Sequence, residues 1–143
     1  MRLLILLLIA SIVASAEHRL EWTADRELVV HATLDGRVCL LLIDTGATHS
    51  VLDKAFCRKQ GMALKAVAGS TTTVSGTTSG VELVATPPVI VGAGAGWTDF
   101  TAVDLAQRNQ GAAEPIVGIL GADYLRWSGA VLDFPRLKLT TER

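Results

Sequence analysis

From Glu27 to Leu34 (ELVVHATL) apolar and polar positions alternate loosely, the period-two pattern of a strand. Asp35-Gly36 follows, a two-residue hairpin signal between apolar runs. Arg37 to Ile43 (RVCLLLI) is apolar on both faces, so it predicts a strand buried on both sides that ends abruptly at Asp44-Thr45-Gly46. In Ser50 to Gln60 (SVLDKAFCRKQ), Val51, Leu52, Ala55 and Phe56 fall at helical spacing and Gly61 supplies a stop, which predicts one short amphipathic helix. Ala66 to Gly80 carries no charge. Its Thr and Val content favours a β-hairpin over a low-complexity linker, with a glycine-containing tip near Val74-Ser75-Gly76.

Further strands are predicted at Val81–Ala85, Pro88–Val91 and Phe100–Leu105, with Gly92 to Gly96 as a turn and Arg108 to Glu114 as a polar loop. Pro115 to Leu120 (PIVGIL) is a second apolar strand that ends at a glycine, Gly121, and Ala122 to Trp127 (ADYLRW) predicts a second short helix. Val131–Phe134 and Leu137–Thr140 close the chain around Pro135-Arg136. Many short strands, two short helices and no βαβ alternation predict an all-β fold, a small closed β-barrel with orthogonal-sheet character. An apolar strand, a glycine turn and a helix occur twice, after Ile43 and after Leu120, which suggests a pseudo-symmetric core within one domain.

With 143 residues the chain has room for one domain, and a hydrophobic content of 50% is ample for a packed core. The formal net charge of -1 and the lack of a basic cluster speak against a nucleic-acid partner. The N-terminus stands apart. Met1-Arg2 carries a positive charge, Leu3 to Val13 is apolar apart from Ser11, and Ala14-Ser15-Ala16 has the small-residue pattern of a signal-peptidase site. The run is short of the roughly 18–20 residues that span a bilayer. Residues 1–16 therefore read as a signal peptide and 17–143 as the mature domain, periplasmic or extracellular, with no stable membrane span after cleavage. Without cleavage the same segment would act as a tether. Export would allow Cys39 and Cys57 to form a disulfide; both fit equally well as buried thiols. No metal-ligand spacing or His/Cys cluster is present, and no cofactor is expected.

Asp44 carries the candidate chemistry. A carboxylate directly after a buried apolar strand is costly to desolvate and must be held deliberately. The adjoining glycine permits close backbone approach, and Thr45 offers a hydroxyl to a partner. In its wider setting, LLIDTGATHSVL (residues 41–52) resembles the active-site segment of retropepsin-like aspartic peptidases: apolar residues, Asp-Thr-Gly-Ala, then hydroxyl residues at Thr48 and Ser50. The second hallmark of that family, an apolar pair followed by glycine, is matched by Ile119-Leu120-Gly121. GILGADYLRWSGAVLDFPRLKL is similar to the C-terminal half of exported or soluble bacterial members, so the resemblance extends over residues 27–140.

The resemblance implies an acid-protease (retropepsin) barrel and an aspartic endopeptidase. Hydrolysis of an amide by this route needs two carboxylates sharing a proton, one activating water and the other donating to the carbonyl. The chain has a single Asp-Thr-Gly, so catalysis by Asp44 implies a homodimer with the two aspartates on a two-fold axis and a polypeptide substrate between them. In the family the motif threonine, here Thr45, grips the partner. Gly46 offers its backbone to substrate, Ser50 and Asp123 brace the loop from behind, and Ala47 and Gly121 belong to the active-site support. Val74, Ser75 and Gly76 would tip a flap over the substrate. The chain departs from viral members in having Thr48 where they place a carboxylate and Ala122 where they place an arginine, a pair that ties their dimers together. His49 reads as a loop histidine with some capacity to tune pH response. The competing reading is a non-catalytic β-barrel of the cell envelope that binds an extended peptide or a protein.

Overall fold

The computed structural model describes residues 15–67, 70–73 and 76–143. The chain runs β1 (Ala16–Trp22), β2 (Leu28–Leu34), β3 (Arg37–Ile43), β4 (Val51–Asp53), α1 (Lys54–Lys59), β5 (Leu64–Ala66), β6 (Ser70–Thr73), β7 (Gly76–Ser79), β8 (Glu82–Val84), β9 (Ile90–Gly92), β10 (Thr101–Val103), β11 (Ile116–Leu120), α2 (Ala122–Trp127), β12 (Val131–Asp133) and β13 (Lys138–Thr141). It is an all-β fold with two short helices, as the pattern predicted.

β2 and β3 form the predicted hairpin. Leu34 pairs with Arg37, and Asp35 and Gly36 both take positive φ, +46° and +79°. That backbone suits the right-handed twist of the flanking strands. Cys39 to Ile43 are all buried. Cys39, Leu41 and Ile43 face the main core, with Leu20, Val30, Leu52 and Leu120 among its members. Leu40 and Leu42 face the other way and pack with Val29 and Ile116. Because both faces of β3 are covered, its run of apolar residues is continuous instead of alternating.

β11 lies between β3 and β4, parallel to the first and antiparallel to the second. Its Gly118 has no room for a side chain. A Cβ there would sit 2.8 Å from Leu52 Cδ2 and 2.9 Å from the Val51 carbonyl. The main sheet follows the order β12-β13-β1-β2-β3-β11-β4-β10-β8-β5, and β9 adds to β2. Among the described residues no ladder joins β12 to β5. The expected closure of the barrel is thus amended: the hydrogen-bonded path stays open.

Three local differences from the sequence reading have physical causes. Residues 50–60 do not form one helix. Val51 and Leu52 are buried on opposite faces of β4 and pair with Ile119 and Gly118, so only Lys54–Lys59 is helical. Asp53 caps that helix and accepts a hydrogen bond from Phe56 N–H at 3.0 Å. β1 was not anticipated, because Leu20 is its single buried residue and its ladders to β13 and β2 are set by long-range pairing. β5, three residues with no buried side chain, was likewise not anticipated.

Cys39 and Cys57 are free and buried. Tyr124 is buried in the main core, and Trp97 and Trp127 pack around it. Trp22 is different: it is 51% exposed and stacks on the equally exposed Phe134.

Candidate active site

The loop that carries Asp44 is fixed at both ends by β-structure. Asp44 N–H donates to the Leu120 carbonyl at 3.1 Å, which extends the β3–β11 pairing to the aspartate itself. The chain then turns tightly, with Ala47 N–H donating to the Asp44 carbonyl at 3.2 Å. Asp44 is half-buried as a residue, and its Oδ1 accepts from Gly46 N–H at 2.9 Å. A Cβ at position 46 would stand 3.2 Å from that same oxygen, so glycine lets the backbone approach the carboxylate. Thr45, Gly46, Thr48 and His49 are exposed, and Ala47 is half-buried.

The loop re-enters the core at Ser50, which is fully buried. Its N–H donates to Asp123 Oδ2 at 2.8 Å and its hydroxyl to Asp123 Oδ1 at 2.7 Å. The same hydroxyl accepts from Gly121 N–H at 3.0 Å. Asp123 also accepts from Tyr124 N–H at 2.7 Å, at the start of α2, where a carboxylate is favoured by the helix dipole. Ala122 N–H donates to the Ala47 carbonyl at 2.8 Å. The two glycine turns of the sequence are therefore interlocked. A Cβ at Gly121 would lie 2.7 Å from the Ala47 carbonyl and 2.9 Å from that of His49, so position 121 excludes any larger residue. His49 Nδ1 stands 3.8 Å from Asp123 Oδ2 with its ring in solvent.

Asp44, Thr45, Gly46, Ala47, Ser50, Gly121 and Asp123 thus converge in one cluster, although 71 positions separate the bonded pair Ser50 and Gly121. Beside the cluster lies a cleft of about 410 Å³ lined by Thr45 and Ala122 together with Leu125, Arg126, Gly129, Ala130 and Leu132. The predicted hairpin is present as β6 and β7, a two-stranded sheet of its own in which Thr73 pairs with Gly76. Of the tip residues, Gly76 opens β7, while Val74 and Ser75 lie outside the described residues. The sequence reading missed the backbone braces at Leu120, Ala47 and Ala122. Such contacts use the peptide group, which every residue shares, and leave no side-chain signal.

A family model described as aspartyl protease matches residues 30–124, a span that runs from β2 to α2 and includes both turns. The chain belongs to the aspartyl protease family. Its fold is that of retropepsin-like proteases: the crystal structure of a retropepsin-like aspartic protease from Rickettsia conorii superposes with a TM-score of 0.53 at 16% identity, covering 90% of each chain. The retroviral protease-like domain of Ddi1 from Leishmania major aligns with a TM-score of 0.48 at 17% identity, over 79% of this chain and 89% of that one. No curated protein matches the sequence.

Proposed function

We propose that the protein is an aspartic endopeptidase whose catalytic pair is Asp44 from each of two copies. One observation carries this reading: Asp44 sits half-buried at the mouth of a doubly covered strand, on a loop fixed by Leu120, Ala122 and Asp123. A carboxylate held so firmly beside exposed backbone suits a reaction that needs preorganised geometry. With the aspartates across a two-fold axis, one ionised carboxylate takes a proton from water and the neutral one donates to the substrate carbonyl. Two like charges so close titrate as a coupled pair. The exposed Thr45, at the rim of the cleft, is the group proposed to reach the partner. Gly46 and Ala47 are proposed to offer backbone to an extended polypeptide. The β6–β7 hairpin with its tip at Val74, Ser75 and Gly76 is proposed as the substrate cover.

Export is part of the same proposal. Removal of residues 1–16 would leave Glu17 as the first residue. Glu17 pairs with Thr140 and makes a 2.8 Å ion pair with Lys138, so β1 would lose only the Ala16–Thr141 rung. Among the described residues no helix is long and apolar enough to cross a membrane. The mass of the protein recovered from the envelope tests this: a species beginning at Glu17 supports export with cleavage, and an intact Met1 overturns it.

The decisive experiment on function is digestion of a mixed peptide library by the purified protein beside Asp44→Asn, from acidic to neutral pH, with oligomeric state measured in parallel. Cleavage by a dimer that vanishes in Asp44→Asn is the expected result. A stable dimer without cleavage would overturn it in favour of a peptide-binding barrel.

A further inference from the structure

The feature that the proposed chemistry leaves unexplained is a lysine in an awkward place. Lys54 opens α1, where the positive end of the helix dipole disfavours a cation, and no acidic residue occupies that first turn. Its ammonium does not serve the helix. It donates to the Gly80 carbonyl and pairs with Glu82 Oε2 at 3.0 Å, with both side chains of the ion pair about four-fifths buried. Arg58, one turn further on, approaches the same carboxylate at 3.6 Å but is largely exposed.

The location gives the contact meaning. Glu82 pairs with Ala66 in the β5–β8 ladder, and that pair is the rung of the ladder next to the β6–β7 hairpin. Gly80 is the residue through which the chain leaves β7 for β8. It takes φ of +76°, which only glycine adopts without strain. Lys54 directly follows β4, which is the strand that leaves the Asp44 loop and pairs with β11. A single side chain thus links the strand behind the active-site loop to the foot of the hairpin. The start of α1 is fixed by Asp53, which caps the helix and also accepts from Leu105 N–H at 3.0 Å.

We propose that Lys54 is a positioning residue that sets the foot of the β6–β7 hairpin relative to the Asp44 loop through Gly80 and Glu82. This rests on the reading of the hairpin as the substrate cover. Lys54 touches no reacting atom, so its loss acts on substrate engagement and leaves the chemical step alone. Partial burial makes the pair worth more than a surface ion pair, and removing the ammonium leaves the Glu82 carboxylate short of its main partner.

The test uses Lys54→Met, which keeps the length of the side chain and removes its charge, beside Lys54→Arg, which keeps a donor for the Gly80 carbonyl and a charge opposite Glu82. The substrate is a peptide taken from the library that the parent cleaves. Lys54→Met should raise KM by about three- to tenfold with kcat within about twofold, and Lys54→Arg should restore most of the loss. Amide hydrogen exchange provides a readout that does not depend on catalysis: residues 70–80 should exchange faster in Lys54→Met than in the parent or Lys54→Arg, with β2 and β3 unchanged. Unchanged exchange in the hairpin overturns the proposal even where the parent is an active peptidase. Faster hairpin exchange in Lys54→Met, beside a parent that cleaves nothing, would retain the anchoring role and overturn the peptidase reading instead. Faster exchange in Lys54→Met with its KM unchanged from that of an active parent would overturn the link to substrate.

Discussion

The two glycine turns at the ends of β3 and β11 are built alike and used differently. Both follow a buried strand, the strands lie side by side in parallel, and each turn brings an aspartate within three residues of the strand end. After β3, the Asp44 carboxylate receives one hydrogen bond from its own loop, at Gly46, and stays half-buried beside exposed backbone. After β11, the Asp123 carboxylate receives three, from Ser50 N–H, Ser50 Oγ and Tyr124 N–H. One carboxylate keeps acceptor capacity for a ligand, and the other spends it on holding the first in place. Under the proposed function, reactivity and rigidity fall to separate residues.

Substitutions at the two turns should separate these roles. The largest effect is expected from Asp44→Asn, which keeps an oxygen for Gly46 N–H: peptide cleavage should fall by at least about a thousandfold while the thermal midpoint scarcely moves. Gly121→Ala should do the opposite. Its Cβ meets two backbone carbonyls at under 3 Å, and backbone cannot step aside as a flexible side chain can, so urea denaturation should show a loss of about 2–4 kcal/mol. Asp123→Ala leaves the Ser50 N–H and hydroxyl without their acceptor and should cost about 1–3 kcal/mol, with activity falling only as the Asp44 loop loosens. If Asp123→Ala abolished activity without loss of stability, the division of labour would be wrong.

Two weaker effects lie outside the turns. Burial pushes the Cys57 thiol up to about 11, with the neighbouring Asp53 adding to the shift. The native protein should therefore resist alkylation at Cys57 near neutral pH and react only on unfolding, which mass spectrometry can follow. Burial lowers the pKa of His18 on β1 below its ordinary 6.5. The unfolded chain then binds the proton more readily, so this contribution to stability is complete above about pH 6.5 and is lost as pH falls through the folded value. His18→Gln should flatten the dependence of stability on pH over that window, the smallest change of the set.

Much of the fold is legible along the chain where a residue's own environment dictates its type. The β2–β3 hairpin follows from Asp35-Gly36, the doubly buried β3 from RVCLLLI, and α2 from ADYLRW between two glycines. β4 was misread, because Val51 and Leu52 suit a helix face as well as a strand. What decides between them is the neighbouring Gly118, which opens space for a strand to approach. Similarly β1 alternates too weakly to be recognised, and only its pairing with β13 and β2 makes it a strand.

The sequence by itself determined the identity of the proposed reactive group and the residues around it, because a carboxylate at the end of an apolar strand, followed by threonine and glycine, is a local chemical arrangement. The tertiary structure alone decided which distant groups hold it. Ser50 meets Gly121 and Asp123, Asp44 meets Leu120, and Lys54 meets Gly80 and Glu82. Those contacts are fixed by strand pairing across the chain. Backbone hydrogen bonds are the same for every residue, so their partners are settled by the assembled sheet and not by the order of side chains.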